Sequence, residues 1–152
     1  MEAFRLARSK YASDLSGIGA SIRGARWNSA GVEMIYTAAN RSLAMAEVAV
    51  HLTLATVPAD FVMLTVYIPD NISLQKITES ELPEEWNVFP YKSNTQQIGD
   101  RFIAQNDYCL LQVPSSVTNG DSNVLINPRH QEFSEIKIVD TARFPFDRRI
   151  FE

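Results

Sequence analysis

One cysteine, Cys109, and two histidines, His51 and His130, are this chain's whole stock of thiol and imidazole ligands. An intramolecular disulfide is excluded. Cys109, in the apolar run Tyr108 to Val113, reads as a buried thiol suited to a reducing compartment, and a poor nucleophile because that role needs a partly exposed, electropositive setting. With no His-x-x-x-His and no second cysteine, no metal site is expected. No run of about eighteen apolar residues occurs, and the opening MEAFRLARSKY has no long apolar segment. Neither a membrane span nor a signal is expected, and the reading is cytoplasmic. Basic clusters are missing too: 14 Lys and Arg against 18 Asp and Glu leave a net charge of −4, which argues against direct nucleic-acid binding. The glycine-bearing stretch Ser13 to Gly31 is loop-like but contains neither G-x-x-x-x-G-K-[ST] nor G-x-G-x-x-G, so nucleotide folds built on those loops are not supported.

What is present is one continuous core's worth of apolar residues, 45% of 152, with no repeat, linker or low-complexity segment; one domain over 1–152 is expected. The chain is organised around Gly24 to His51. Ser42 to Leu54 reads as a helix capped by Ser42. Met45, Ala46, Val48, Ala49, Val50, Leu52 and Leu54 surround Glu47 on every side of that helix, so it should be largely buried and carry the carboxylate in with it. An unpaired buried carboxylate costs roughly several kcal/mol, so Glu47 needs a cation, hydrogen-bond donors or a proton. The nearest cation is in the Arg26-Trp27-Asn28 turn, joined to the helix by the strand-like Val32 to Thr37 with Tyr36 near its end. Arg26, Tyr36 and Glu47 in one pocket would suit an anionic, ring-bearing ligand with a ribose. The same three residues also make an ordinary buried Arg–Glu pair beside a core tyrosine. Arg23 and Arg26 together could meet two phosphates, and His51, one turn after Glu47, could line the same pocket.

Elsewhere, Phe4 to Ala7 reads as an opening edge strand, Phe61 to Ile68 as a central strand and Ile72 to Ile77 as another. Pro83 to Trp86 looks like a helix start, and Trp86, Phe89 and Tyr91 are read as core more readily than as pocket rim. Thr95 to Gln105 is expected to be helical, with Ile98, Phe102 and Ile103 on one face. Tyr108 to Val113, Val124 to Asn127 and Ile136 to Val139 complete the strands, His130 braces its loop, and Arg143, Arg148 and Arg149 near the end read as a solvated face or an interface.

The run G-x-R-W-N-x-x-G, then Y-T-A, then S-L-A-x-x-E-x-x-V-H resembles the RES domain, the toxin half of RES-Xre toxin-antitoxin modules, a family named for an Arg, a Glu and a Ser. Val113-Pro114-Ser115 and the segment Asn123 to His130, read as N-x-L-x-N-P-x-H, resemble that family's later motifs. The resemblance implies an α+β fold, a compact, mixed, mainly antiparallel β core with flanking helices, similar to mono-ADP-ribosyltransferase toxins. It implies cleavage of NAD between nicotinamide and ribose, by hydrolysis or by phosphorolysis with inorganic phosphate, leading to growth arrest; modification of a cellular protein is the alternative, and an inactive antitoxin-binding module a further one. Arg26, Glu47 and Ser115, or Ser116 after a one-residue shift, would be catalytic, and Arg26, Tyr36, Trp27, Asn28 and His51 would bind NAD. The implied partners are an Xre-type helix-turn-helix antitoxin carrying the DNA binding and, in a homodimer or toxin-antitoxin hetero-oligomer, further copies.

Overall fold

A computed structural model describes residues 1–13 and 15–152. Seven strands form one mixed sheet in the order β4-β5-β6-β2-β1-β3-β7, and every pairing is antiparallel except β4 with β5. These are β1 (Glu2–Arg8), β2 (Ile35–Ala38), β3 (Phe61–Tyr67), β4 (Leu74–Lys76), β5 (Leu110–Pro114), β6 (Ser122–Ile126) and β7 (Lys137–Arg143). Helix α1 (Ile18–Arg23) precedes β2, α2 (Arg41–Ala49) follows it, and α3 (Ser93–Gln105) is the crossover that lets β4 and β5 run parallel. The α+β expectation holds.

The joint between β1 and β2 organises the molecule. β1 pairs with β3 along all seven of its residues, but with β2 only through Phe4 and Ala38. The sheet therefore splits into two half-sheets, β4-β5-β6-β2 and β1-β3-β7, hinged at that pair. Registers place Phe4, Ala38, Tyr36, Leu125 and Leu111 on one face of the sheet. On this face Leu43 and Ala44 of α2 pack against Phe4, Leu6, Phe61 and Met63, while Phe102 and Ile103 of α3 join Trp27, Met34, Leu111 and Leu125. Apolar periodicity thus seats one helix on each half-sheet and leaves the split between them open.

Several sequence expectations change here. β1 lies inside the sheet, not at its edge, because β2 and β3 flank it. The Glu47 helix starts at Arg41 behind an Asn40 cap, whose side chain accepts from the Leu43 N–H at 2.8 Å, so Ser42 sits inside the first turn. It ends by Val50, and only Leu43 and Ala44 are buried: the helix lies across one half-sheet, and Ala44, Glu47 and Val48 line the split. Ser13 to Gly31 contains the short helix α1, with Asp14 outside the described residues. Pro83 to Trp86 makes turns instead of a helix, and of its aromatic neighbourhood Trp86 is core whereas Phe89 and Tyr91 are exposed.

Candidate functional site

A cavity of about 690 Å³ opens over the split. Its lining comes from β1 and β2 (Arg5, Leu6, Tyr36, Ala38), from α2 (Ala44, Glu47, Val48), from the Arg26 turn and from the loop Asn87 to Tyr91. The glutamate is half-buried. Its Oε1 accepts from the Asn123 amide at 2.7 Å and from the Ser115 hydroxyl at 2.9 Å; Oε2 receives no hydrogen bond from any described residue. Ser115 is itself fixed, because its oxygen accepts from the backbone N–H groups of Val117 and Thr118, each at 3.0 Å. One carboxylate oxygen is thus anchored and the other left for a ligand.

Arg26 does not pair with Glu47. Its guanidinium donates to the carbonyls of Trp86 at 2.8 Å and Val88 at 3.0 Å, and so ties the Asn87 to Tyr91 loop to the turn. Burial lowers its pKa, while the charge of Glu47 and then the Tyr36 and Tyr91 phenols oppose that shift. The turn is positioned by α3. Gln96 donates to the carbonyls of Ala25 and Asn28, Asp100 accepts from the Ser29 N–H and hydroxyl, and Gly99 lets the Trp27 carbonyl lie where a Cβ would stand 1.6 Å from it. Gly24, at φ +77°, supplies the left-handed turn into this segment.

Arg5 is the second cation of the cavity. It lies where β1 and β2 separate and donates to the Tyr36 carbonyl at 3.2 Å. Burial lowers its pKa, and no described residue forms a salt bridge to Arg5 or Arg26. Two guanidiniums without carboxylate partners among the described residues, facing one open cavity, make a site for an anion. Tyr36 presents its ring, since its hydroxyl donates to Asn28 Oδ1 at 2.6 Å and accepts from the Trp27 N–H at 3.0 Å; burial pushes that phenol up.

The structure thus gathers Arg26, Tyr36, Glu47 and His51 on the cavity and sets Ser115 behind Glu47, while the neighbouring Ser116 lines the wall. Trp27 and Asn28, expected among the binding residues, are not on it. Both are buried, 2% and 0% exposed, and brace the turn from beneath, with Asn28 also donating to the carbonyls of Ala20 and Val32. Arg23 is exposed and does not line the cavity, so Arg5 takes the place expected of it. Neither Arg5 nor Asn123 is singled out by the sequence. Asn123 stands at the head of the N-x-L-x-N-P-x-H segment, which is the one available signal; Arg5 has none, because its placement depends on the split.

Away from the cavity, donor atoms of Cys109, His130 and Glu132 lie within 4.8 Å of one another. The histidine and the glutamate are already engaged in bracing the fold. His130 Nδ1 accepts from the Glu132 N–H, and the Glu132 carboxylate accepts from the Ser73 N–H and hydroxyl. Burial, then Glu132 and Glu135, push the Cys109 thiol up to about 12, which keeps it protonated and unreactive.

Residues 2–147 match the model of the RES domain. The "Prs ADP-ribosylating toxin" of Sphingobium sp. is 34% identical over 95% of this chain and 91% of its own length. Proteins named "Toxin Res" from Photorhabdus laumondii and Yersinia enterocolitica are 34% and 32% identical, covering 97% and 99% of this chain and 95% and 99% of theirs. The toxin-antitoxin complex MbcT-MbcA of M. tuberculosis contains a chain of the same fold, with a TM-score of 0.76 over 99% of this chain and 86% of that one at 18% identity.

Proposed function

Because this chain belongs to the RES domain family, and because it brings a fixed carboxylate and two guanidiniums free of salt bridges to described residues to one cavity, we propose that it is a toxin that breaks the nicotinamide-ribose bond of NAD. Arg26 and Arg5 take the diphosphate, the Tyr36 ring carries the nicotinamide, and Oε2 of Glu47 accepts from a hydroxyl of the nicotinamide ribose. As the bond breaks, nicotinamide leaves with its electron pair and positive charge develops at the anomeric carbon. A carboxylate already oriented by Ser115 and Asn123 stabilises that charge without reorganising. The observation that carries this reading is the division of labour between the Glu47 oxygens, one doubly anchored and one without a described donor beside the anion site.

Water as acceptor yields ADP-ribose, inorganic phosphate yields an ADP-ribose phosphate, and a protein side chain yields an ADP-ribosylated target. The relative named as an ADP-ribosylating toxin favours the last as the second reading. By the family resemblance, an Xre-type antitoxin covers the opening and carries any DNA binding. The test is incubation of the purified chain with NAD, with and without phosphate, beside Glu47→Gln. Nicotinamide release lost in the variant supports the reading, and the co-product separates hydrolysis from phosphorolysis. Intact NAD in both buffers, in the presence of a cell extract as source of protein acceptors, overturns it.

A further inference from the structure

Two segments that this chemistry leaves unused form the outer rim of the cavity: Val50 and His51 at the end of α2, and the loop Asn87 to Tyr91. Phe89, at 73%, is the most exposed large apolar side chain among the described residues. Its ring centroid lies 6.3 Å from that of His51, the planes tilted by 55°, and both residues line the cavity. An aromatic ring that contributes nothing to the core, yet stands at the mouth of a cavity beside a second ring, offers a stacking surface to a planar ligand group.

The charged groups indicate which planar group that is. Arg26 is fastened to the carbonyls of Trp86 and Val88, and Val88 immediately precedes Phe89, so the segment that carries the rim ring is tied to a guanidinium of the anion site. Glu47 is held on another flank by Ser115 and Asn123, and the Tyr36 ring lies deeper, at the split. A ligand with its phosphates at Arg26 meets a half-buried ring, Tyr36, in the depth of the cavity and an exposed ring, Phe89, at its mouth, the latter beside the His51 that follows Glu47 by four residues. One inner and one outer ring on either depth of an anion site match the two rings and the diphosphate of a dinucleotide.

We propose that Phe89 and His51 form a purine subsite that takes the adenine of the dinucleotide, with the Asn87 amide in the same rim available to the hydrogen-bonding edge of the base. This rests on the NAD reading above, and it makes the rim a specificity element that separates adenine dinucleotides from smaller nicotinamide nucleotides.

AMP is the probe, because it carries the base and one phosphate without nicotinamide; ribose 5-phosphate is the control. Removing one stacking ring weakens base binding by about five- to a hundredfold. In Phe89→Ala the Kd for AMP and the KM for NAD are expected to rise about tenfold, with kcat within about twofold and ribose 5-phosphate binding unchanged. Phe89→Trp, which keeps a ring, should restore both. The proposal is overturned if AMP binds the unmodified chain no better than ribose 5-phosphate, if Phe89→Ala leaves AMP binding unchanged, or if it weakens both ligands equally. A chain that binds AMP through Phe89 but never cleaves NAD would sink the earlier reading and keep the subsite.

Discussion

The Ser115 hydroxyl donates to Oε1 of Glu47 across 2.9 Å while accepting from two backbone N–H groups of its own loop. A turn after β5 therefore fixes an acid on α2 from 68 residues away. Replacing Glu47 by Gln keeps shape and removes charge: NAD turnover should fall about a hundred- to a thousandfold, with the thermal midpoint little changed. Steady-state kinetics beside a melting curve check both arms. Large destabilisation of the variant, with no activity in the parent to lose, would instead make Glu47 a structural residue.

Ser115→Ala and Ser116→Ala should separate. The first removes a bond to a charged group and leaves the Val117 and Thr118 N–H groups without their acceptor, so it should lower kcat about tenfold and cost about 1–3 kcal/mol by denaturant titration. Ser116 lines the wall without a hydrogen bond to Glu47, and its alanine variant should stay within about twofold of the parent in kcat. Equal effects would discard the assignment.

Arg5 is a partly buried cation without a partner acid among the described residues, an arrangement that costs stability unless a ligand uses it. Arg5→Met keeps the apolar stem. It should leave the thermal midpoint equal or higher and raise the KM for NAD by about tenfold or more. A lower midpoint with unchanged KM would show that the bond to the Tyr36 carbonyl is what the arginine is for.

Gly99→Ala tests the clamp on the Arg26 turn. A Cβ would meet the Trp27 carbonyl oxygen at 1.6 Å and its carbon at 2.7 Å, both backbone atoms that cannot swing away. Destabilisation of about 3 kcal/mol or more is expected by denaturant titration, with turnover lost because the turn carries Arg26.

Glu132 provides a pH test far from the cavity. Its bonds from the Ser73 hydroxyl and N–H, with a smaller effect of His130, lower its pKa in the fold. A carboxylate held low contributes stability that is present above its unfolded value and lost as pH falls through the folded one. The parent should therefore melt above Glu132→Gln at neutral pH, and the gap should close on acidification. A gap constant from neutral to acid pH would contradict the role.

How much is legible in the sequence follows from the range of each interaction. The Glu47 helix, the Arg26 turn and the strand carrying Tyr36 are visible because periodicity, capping residues and glycine act over a few positions. The helix begins at Arg41, one residue before the expected Ser42, because Asn40 cap-bonds the Leu43 N–H. The motif strings also carry the family, matched over residues 2–147.

What the sequence determined by itself, then, is the set of local pieces and the apolar face that seats α3 on the sheet, whereas apolar residues on every side of Glu47 left open that α2 packs through Leu43 and Ala44. Tertiary structure alone decided which donors reach Glu47, since Asn123 gets there only through the register of β6 against β2. It also decided that Arg5 faces a cavity, because β1 and β2 part after one residue pair. Trp27 and Asn28 became supports for the same reason, pressed beneath the turn by a helix whose Gly99 admits the Trp27 backbone. Strand register and helix approach are set by the packing of the whole core, and no window of neighbouring residues contains that information.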